Sequence, residues 1–216
     1  MLDNNKNSAL SIIFKAADEY EKNLRDNNLM FVCQDKHKRI SFFEVEFNAS
    51  NFLHLTGVKI SSHFKKNLNS NNEFANKFYE KCLKRRLSVK DFYFAVDGTT
   101  QLKLDVLPAL MKKNLSANSI GDLDAYTFKL YTEKIAGSTK GCMGFVTDQE
   151  VNKNIPNTVL KTDPRYLSKT PLRIIVTYRK KKSDTQYSEI VYLAKGILWK
   201  DIKFPSEISN LPKPSC

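Results

Sequence analysis

The chain has 216 residues and a formal net charge of +12, from 35 Lys and Arg against 23 Asp and Glu. This length is enough for one domain with a real core, and the 41% hydrophobic content excludes wholesale disorder. No apolar run approaches the roughly 20 residues that a membrane-spanning helix needs, and the polar segment Met1 to Asn7 lacks the pattern of an export signal. The four cysteines have no C-x-x-C spacing, so we expect reduced thiols in a cytoplasmic protein without membrane partners.

The first half of the chain is predicted to be mainly helical. Apolar residues at helical spacing indicate a first helix from Ser8 to about Arg25. A hairpin follows, with strands from Leu29 to Gln34 and from Ile40 to Phe47. The further helices are expected over 51–56, stopped by Gly57, from Asn71 or Asn72 to about Arg86, in a short segment from Ser88, and from Thr100 to Lys113.

The second half is predicted to be mainly β-structure. The candidate strands are Tyr126 to Lys134, Gly141 to Thr147, Leu172 to Lys180 and Gln186 to Ala194. Helices followed by antiparallel strands favour an α+β fold over an α/β fold. We therefore expect one α+β domain over residues 1–204, with N-terminal helices and a hairpin packed on a small C-terminal antiparallel sheet. The prolines of residues 205–216 indicate a loosely packed C-terminal tail.

The net charge favours a polyanionic partner, above all nucleic acid. A positive field attracts such a partner and speeds its capture. Three basic runs are candidates for backbone contacts, namely Lys84-Arg85-Arg86, Lys112-Lys113 and Arg179 to Lys182. The alternative is a solvated basic surface in a Lys- and Asn-rich chain, because most charge runs are only solvated.

The absence of several motifs excludes whole classes of enzyme. The sequence has no Walker loop, no G-x-G-x-x-G before a helix, no H-E-x-x-H, no G-x-S-x-G elbow and no carboxylate cluster of a two-metal nuclease. The remaining His, Lys, Arg, Tyr and hydroxyl groups suit RNA cleavage without a metal or other cofactor. In that reaction the substrate supplies its own 2′-OH as nucleophile, while the protein moves protons and stabilises the phosphate.

His54 is the histidine best placed for this chemistry. It lies between leucines in Asn51-Phe52-Leu53-His54-Leu55-Thr56-Gly57, in the last turn of the predicted short helix. A helix C-terminus favours the imidazolium, which indicates a general acid or a phosphate contact. The alternative is a half-buried histidine that is hydrogen-bonded to the backbone. His37 and His63 lie in polar segments and are expected at the surface.

Two other elements offer cationic side chains. Lys103 borders the apolar stripe of its predicted helix, where it could stabilise a phosphorane or simply extend its amine into solvent. On the strand that begins at Leu172, alternation places Arg173, Thr177 and Arg179 on one face. That face is expected either to read phosphates or to be an ordinary solvent-exposed sheet face.

A family resemblance centres on the same segment. The string Asn-Phe-Leu-His-Leu-Thr-Gly-Val, within Phe47 to Val58, resembles the phage and mobile-element branch of the barnase–EndoU–colicin–RelE-like (BECR) nuclease superfamily. Weaker matches follow in order between about Leu29 and Leu193. They are Phe78-Tyr79-x-x-Cys82, Thr100-x-x-Lys103-Leu104, the Gly144-Phe145 strand, and Ile155-Pro156-Asn157-Thr158 with Arg165 after it.

The resemblance implies helices on a small antiparallel sheet and a metal-independent RNase-like activity. The leading hypothesis is an endoribonuclease of a phage or mobile element that forms a 2′,3′-cyclic phosphate. The resemblance implies that His54 is the general acid or base and that Lys103 and Arg165 hold the scissile phosphate. Thr56 and Thr158 would orient this phosphate, and Asn157 would bind the nucleic acid. Arg173 and Thr177 are added from strand alternation.

Two other functions stay open. The same basic face could let a non-catalytic anti-defence inhibitor, of the anti-CRISPR type, cover guide RNA, tRNA or a ribonucleoprotein complex. A relict BECR fold could instead have a structural or regulatory role, and a filled apolar environment around His54 would indicate it. The enzyme hypothesis predicts that His54, Lys103, Arg165 and Arg173 converge in one cleft.

Overall fold

The computed structural model describes residues 2–66, 68–124, 131–149 and 152–214. Its α-helices within these ranges are α1 (Leu2–Asn23), α2 (Asn51–Thr56), α3 (Ser62–Lys65), α4 (Asn71–Leu83) and α5 (Thr99–Leu110). The strands are β1 (Asn27–Gln34), β2 (Ile40–Glu46), β3 (Lys59–Ile60), β4 (Phe92–Tyr93), β5 (Ser119–Asp122), β6 (Lys134–Ser138), β7 (Gly141–Asp148), β8 (Lys153–Leu160), β9 (Leu172–Lys181) and β10 (Glu189–Leu193). None of the described helices is long and apolar enough to cross a membrane.

One antiparallel sheet organises the molecule. Its strand order is β2-β1-β9-β5-β6-β7-β8. Strand β10 pairs with the same edge of β9 as β5 does, but further along that strand. The sheet curls until its two edge strands, β2 and β8, touch. At their contact the Asn154 side-chain amide of β8 donates to the carbonyl of Glu44 in β2 at 2.8 Å. Strands β3 and β4 form a separate small pair. The predicted α+β class is confirmed.

The helices fill the inner face of this curled sheet. Apolar residues of α1 recur every three or four positions, and Ile13, Ala16, Ala17 and Tyr20 are all fully buried. The Tyr20 ring lies 5.3 Å from that of Phe52 in α2, and its hydroxyl donates to the carbonyl of Asn48 at 2.8 Å. The burial of these residues fixes α2 against α1, and so fixes where the end of α2 lies.

The C-terminal segment covers the outer face of the sheet, contrary to the expectation of a loosely packed tail. Ile208 and Leu211 are 2% and 8% exposed and pack with the outward residues of β1 and β9. The Tyr178 hydroxyl of β9 donates to the carbonyl of Pro212 at 2.6 Å. Residues 205–214 are therefore an integral layer of the fold.

Several predicted elements differ from the observed ones. No helix begins at Ser88, because the Asp91 carboxylate accepts its backbone N–H at 2.8 Å and closes a turn. Ser70, not Asn71 or Asn72, caps α4, in a reciprocal capping box with Glu73. Strands β5 and β8 were not predicted. The predicted strand from Tyr126 lies mostly outside the described residues, and β6 begins where that strand was expected to end.

Candidate functional site

The short helix α2 places His54 at an exposed edge of the fold. Gly57 ends the helix with φ of 71°, a left-handed conformation that glycine adopts without a Cβ clash. The Thr56 hydroxyl donates to the carbonyl of Leu53 at 2.7 Å and accepts the N–H of Val58 at 3.3 Å. The chain therefore turns sharply just after His54, whose side chain stays partly open to solvent.

Helix α5 brings Lys103 to the same place. The Lys103 amine donates to the carbonyl of His54 at 3.1 Å, and its stem crosses Gly57 so closely that a Cβ there would lie 2.6 Å from Lys103 Cδ. The Thr100 hydroxyl donates to the carbonyl of Gly57 at 2.8 Å. These contacts join the C-terminus of α2 to the first turns of α5.

A cleft of about 340 Å³ opens beside this junction. His54, Lys59, Lys65 and Lys103 line it, and Asp97 is the one carboxylate among its described lining residues. Asn157 closes another side. We call this space the His54 cleft; its excess of cationic groups favours an anionic ligand.

Asn157 owes its position to a bulge in β8. Gly144 of β7 pairs with Thr158 and Phe145 with Pro156, so Asn157 is the extra residue between them. Its side-chain amide donates to the carbonyl of Tyr131, and its amide oxygen accepts the Thr132 hydroxyl at 3.2 Å. The carboxamide is thus held rigidly at the cleft wall.

The cleft lowers the pKa of both of its central groups. Loss of hydration against the cleft walls, followed by repulsion from Lys103 and Lys59, lowers the pKa of His54 below its ordinary value. Burial, followed by repulsion from Lys59, lowers the pKa of Lys103 to about 8. At neutral pH the imidazole is therefore mainly neutral, while the amine is still mainly protonated but close to its titration range.

The family of the chain follows from its sequence match over most of this fold. A family model described as phage-Barnase-EndoU-ColicinE5/D-RelE like nuclease4 matches residues 12–196. The chain belongs to this BECR nuclease family. The resemblance found around His54 is thereby confirmed, and membership implies a BECR-type nuclease of phage origin. No curated protein and no solved structure matches the chain.

Three of the BECR positions carried over from the sequence lie together. His54, Lys103 and Asn157 all line the His54 cleft. Thr56 does not line it, because its hydroxyl is buried and holds the end of α2. Thr158 is 4% exposed and packs its methyl group toward Gly144 of β7. The two threonines therefore have no place from which to orient a phosphate in the cleft, and that expectation is wrong.

The expected convergence of the two arginines on His54 is also wrong. Arg165 and Arg173 line a different cavity, of about 590 Å³, beside β5 and the start of β9. Arg165 follows Asp163 in a 3-10 turn and binds that carboxylate through its Nε at 3.0 Å. Arg173 donates to the carbonyl of Lys195 at 2.6 Å.

A bulge in β9 overturns the predicted face of that strand. Val176 pairs with Val32 of β1 but Ile174 pairs with Cys33, so one extra residue of β9 reverses the alternation. Thr177 is fully buried under the helical layer, and Arg179 binds Glu189 and the carbonyl of Asn23. Arg173 lies on the opposite face, so the three residues do not form one phosphate-reading surface.

The predicted basic runs are away from the cleft and partly neutralised. Lys84 pairs with Glu80 at 2.6 Å, Arg85 pairs with Asp18, and Lys113 pairs with Glu189 at 3.1 Å. Arg86 and Lys112 are exposed. The described residues lining the His54 cleft include none of these five.

Three cleft residues were missed from the sequence. Lys59 stands two residues after Gly57, Lys65 comes from α3, and Asp97 lies in the loop before α5. The closeness of Lys59 to the His54 string was the only available signal. Across the part of the chain that the structure describes, no three His, Cys, Asp or Glu residues are grouped so as to hold a metal ion.

Proposed function

We propose that the chain is an endoribonuclease that cleaves RNA without a metal ion, by attack of the substrate's own 2′-OH on the adjacent phosphate. The observation that carries this proposal is the pairing of an imidazole and an amine, both with lowered pKa, in one cationic cleft of a BECR-family chain. The products are a 2′,3′-cyclic phosphate and a free 5′-OH.

His54 is the general base in this mechanism. Its lowered pKa leaves the imidazole neutral near pH 7, where it accepts the proton of the 2′-OH as that oxygen attacks phosphorus. The expectation of an imidazolium at the helix end is replaced by this role. Its partly open ring gives the substrate access.

Lys103 is the general acid and phosphate ligand. Its ammonium stabilises the charge that develops on the phosphorane, and it donates a proton to the 5′ oxygen as the P–O5′ bond breaks. A pKa of about 8 suits this transfer, because such an amine is protonated at pH 7 yet gives up its proton readily. Lys59, Lys65 and Asn157 line the space in which the non-bridging oxygens would lie.

The test is cleavage of mixed RNAs in the presence of EDTA. We expect wild-type cleavage to persist, and His54→Ala to lower it about 10²–10⁴-fold, the usual contribution of a general acid or base. His63→Ala is the matched control, since His63 is exposed on α3 outside the cleft lining. A strict requirement for a metal ion, or undiminished cleavage by His54→Ala, would refute the mechanism.

A second candidate function is RNA binding without cleavage, as an anti-defence inhibitor. It is favoured by one observation, namely that Arg165 and Arg173 line a cationic surface separate from the His54 cleft. Guide RNA, tRNA and a ribonucleoprotein complex are the partners to test. Tight binding together with intact RNA in every assay would favour this function.

A further inference from the structure

A second basic surface lies at the start of β9. One cavity of about 590 Å³ is lined by Arg165, Arg173 and Lys195, and another of about 650 Å³ is lined by Arg173, Lys38, Arg39 and Lys203. Arg173 lines both, so the two cavities adjoin at this side chain. We call the two adjoining cavities the Arg173 groove.

The groove contrasts with the rest of the surface in its charge. Among the described residues that line it, six are basic and none is acidic. Asp163 and Asp35 pair with Arg165 and Arg39 from outside the lining. The ion pairs between the described side chains include none with Arg173, Lys195, Lys38 or Lys203, which contribute four positive charges to the groove. An extended anion would neutralise them together.

The central cation is held in place by the backbone. The Arg173 guanidinium donates to the carbonyl of Lys195 at 2.6 Å, while its side chain remains exposed. Such an anchor lowers the conformational entropy that the arginine loses when it binds a phosphate. The groove is therefore partly organised for an anion before one arrives.

Apolar and aromatic side chains alternate with these charges. Tyr192 and Leu193 line the first cavity, Leu198 lines the second, and Leu193 and Leu198 are 42% and 66% exposed. The half-buried Tyr192 ring and the two exposed leucines, set among cations, suit a single strand, whose bases are free to contact them. In a duplex the base faces are stacked against one another, so these side chains would have no counterpart.

We propose that the Arg173 groove binds the backbone of single-stranded RNA, in a segment remote from the phosphate at the His54 cleft. This inference rests on the proposed function in taking RNA as the ligand. The groove is also partly built by this chain's own C-terminal segment, because Leu198, Ile202 and Lys203 follow the family match that ends at residue 196.

Binding of a 2′-O-methyl oligonucleotide tests the groove separately from cleavage, because the strand has no free 2′-OH to attack. A strand of roughly 12 nucleotides is within the site sizes of single-strand-binding grooves. Fluorescence anisotropy over a range of salt concentrations gives the slope of log K against log salt. Replacing Lys38, Arg173, Lys195 and Lys203 together by Ala is expected to reduce this slope by up to about 3, at about 0.7 for each lost phosphate contact.

A fourfold control carries the same change of net charge. Lys15, Lys90, Lys140 and Lys153 are exposed and lie outside the groove lining, so their replacement by Ala should leave the slope close to that of the wild type. Circular dichroism verifies that both fourfold variants are folded. Equal slopes for the two variants would overturn the proposal, as would binding of polyglutamate of equal charge with the same affinity as the strand.

Cleavage of a dinucleotide separates this proposal from the proposed function. A dinucleotide reaches the His54 cleft without spanning the groove, so its cleavage rate should be unchanged in the fourfold groove variant. If the wild type cleaves no RNA but the groove variant loses binding, the groove proposal stands and the endoribonuclease proposal fails. If cleavage occurs and groove replacement leaves strand binding intact, the reverse holds.

Discussion

The protonation state of His54 is decided by the residues around it more than by the helix that carries it. A helix C-terminus stabilises a nearby cation by about 0.3–1 kcal/mol. Here the Lys103 ammonium already donates to the His54 carbonyl, at the end of α2. The partial negative charge is thus shared with a stronger cation, and that cation repels a second positive charge on the imidazole. Loss of hydration against the cleft walls, which is the largest cause, and this repulsion together lower the pKa of His54.

The pH dependence of kcat/KM follows from these two groups. On the acid side the rate should rise as His54 loses its proton, with a midpoint below 6.5, the ordinary value for histidine. On the alkaline side it should fall near pH 8 as Lys103 loses its proton. Lys59→Ala removes a charge that lowers both pKa values, so both limbs should move to higher pH.

Rate profiles and an NMR titration of the His54 ring would measure these shifts together. Lys90→Ala, an exposed lysine outside the cleft lining, is the control and should leave both limbs in place. A His54 that titrates at or above pH 6.5 in the free protein would contradict the lowered pKa of its imidazole, whatever the rate profile.

At the residue scale, three of the polar residues that line the cleft could be predicted from the sequence. His54, Lys103 and Asn157 belong to motif strings, and the structure brings them together in one cleft. Lys59, Lys65 and Asp97 come from three separate segments, and only Lys59 is close to the His54 string in sequence. Arg165 illustrates the opposite error. Arg165 lies only a few residues after the β8 motif in sequence. The turn at Asp163 nevertheless directs its side chain to another cavity.

At the scale of elements, bulges limited what alternation could predict. A strict period of two assigns every residue of a strand to a face, and one extra residue reverses the assignment beyond it. The bulge in β9 separates Arg173 from Thr177 and Arg179 in this way. The bulge at Asn157 works in favour of the site, because it turns a carboxamide toward the cleft from an edge strand.

The junction of α2 with α5 depends on a single missing Cβ. Gly57→Ala places a methyl group 2.6 Å from Lys103 Cδ and adds a side chain at φ of 71°. We expect a loss of stability of about 1–2 kcal/mol from the left-handed conformation alone, with a further loss as the lysine stem is displaced. Cleavage should fall as well, since the Lys103 amine can no longer reach the His54 carbonyl.

Gly98→Ala separates the two effects. Gly98 has nearly the same φ, 75°, but no atom within 4 Å of its added Cβ. Gly98→Ala should therefore lose only the stability that the left-handed conformation costs, which urea denaturation measures. Its cleavage of RNA should be retained. Equal losses of stability and activity in the two variants would show that contact with Lys103 does not matter at Gly57.

At the scale of the whole molecule, strand β9 is covered on both faces. Ile174 packs into the core beneath the helices, whereas Ile175 and Val176 pack with the C-terminal segment. The uninterrupted apolar run of these three residues is the pattern of a strand buried on both sides. It was available from the sequence, but the prolines of the tail favoured a different interpretation. Prolines fit here because residues 205–214 form a 3-10 turn and irregular chain, and therefore need no backbone N–H for a strand ladder.

The tail should therefore contribute to global stability. Ile208→Ala removes a side chain that is 2% exposed against β1 and β9, and such a deletion costs about 2–5 kcal/mol because the cavity collapses only partly. Leu102→Ala is the control. Leu102 is 52% exposed on α5, so its truncation should change the free energy of unfolding by about 0.5 kcal/mol or less.

Urea denaturation, followed by tyrosine fluorescence for the core and tryptophan fluorescence for Trp199, gives both values. Because the tail and the helical layer pack on opposite faces of one sheet, the two signals should shift together in Ile208→Ala. A shift of the Trp199 signal alone would mean that the tail unfolds independently, and that its burial does not stabilise the sheet that carries the His54 cleft.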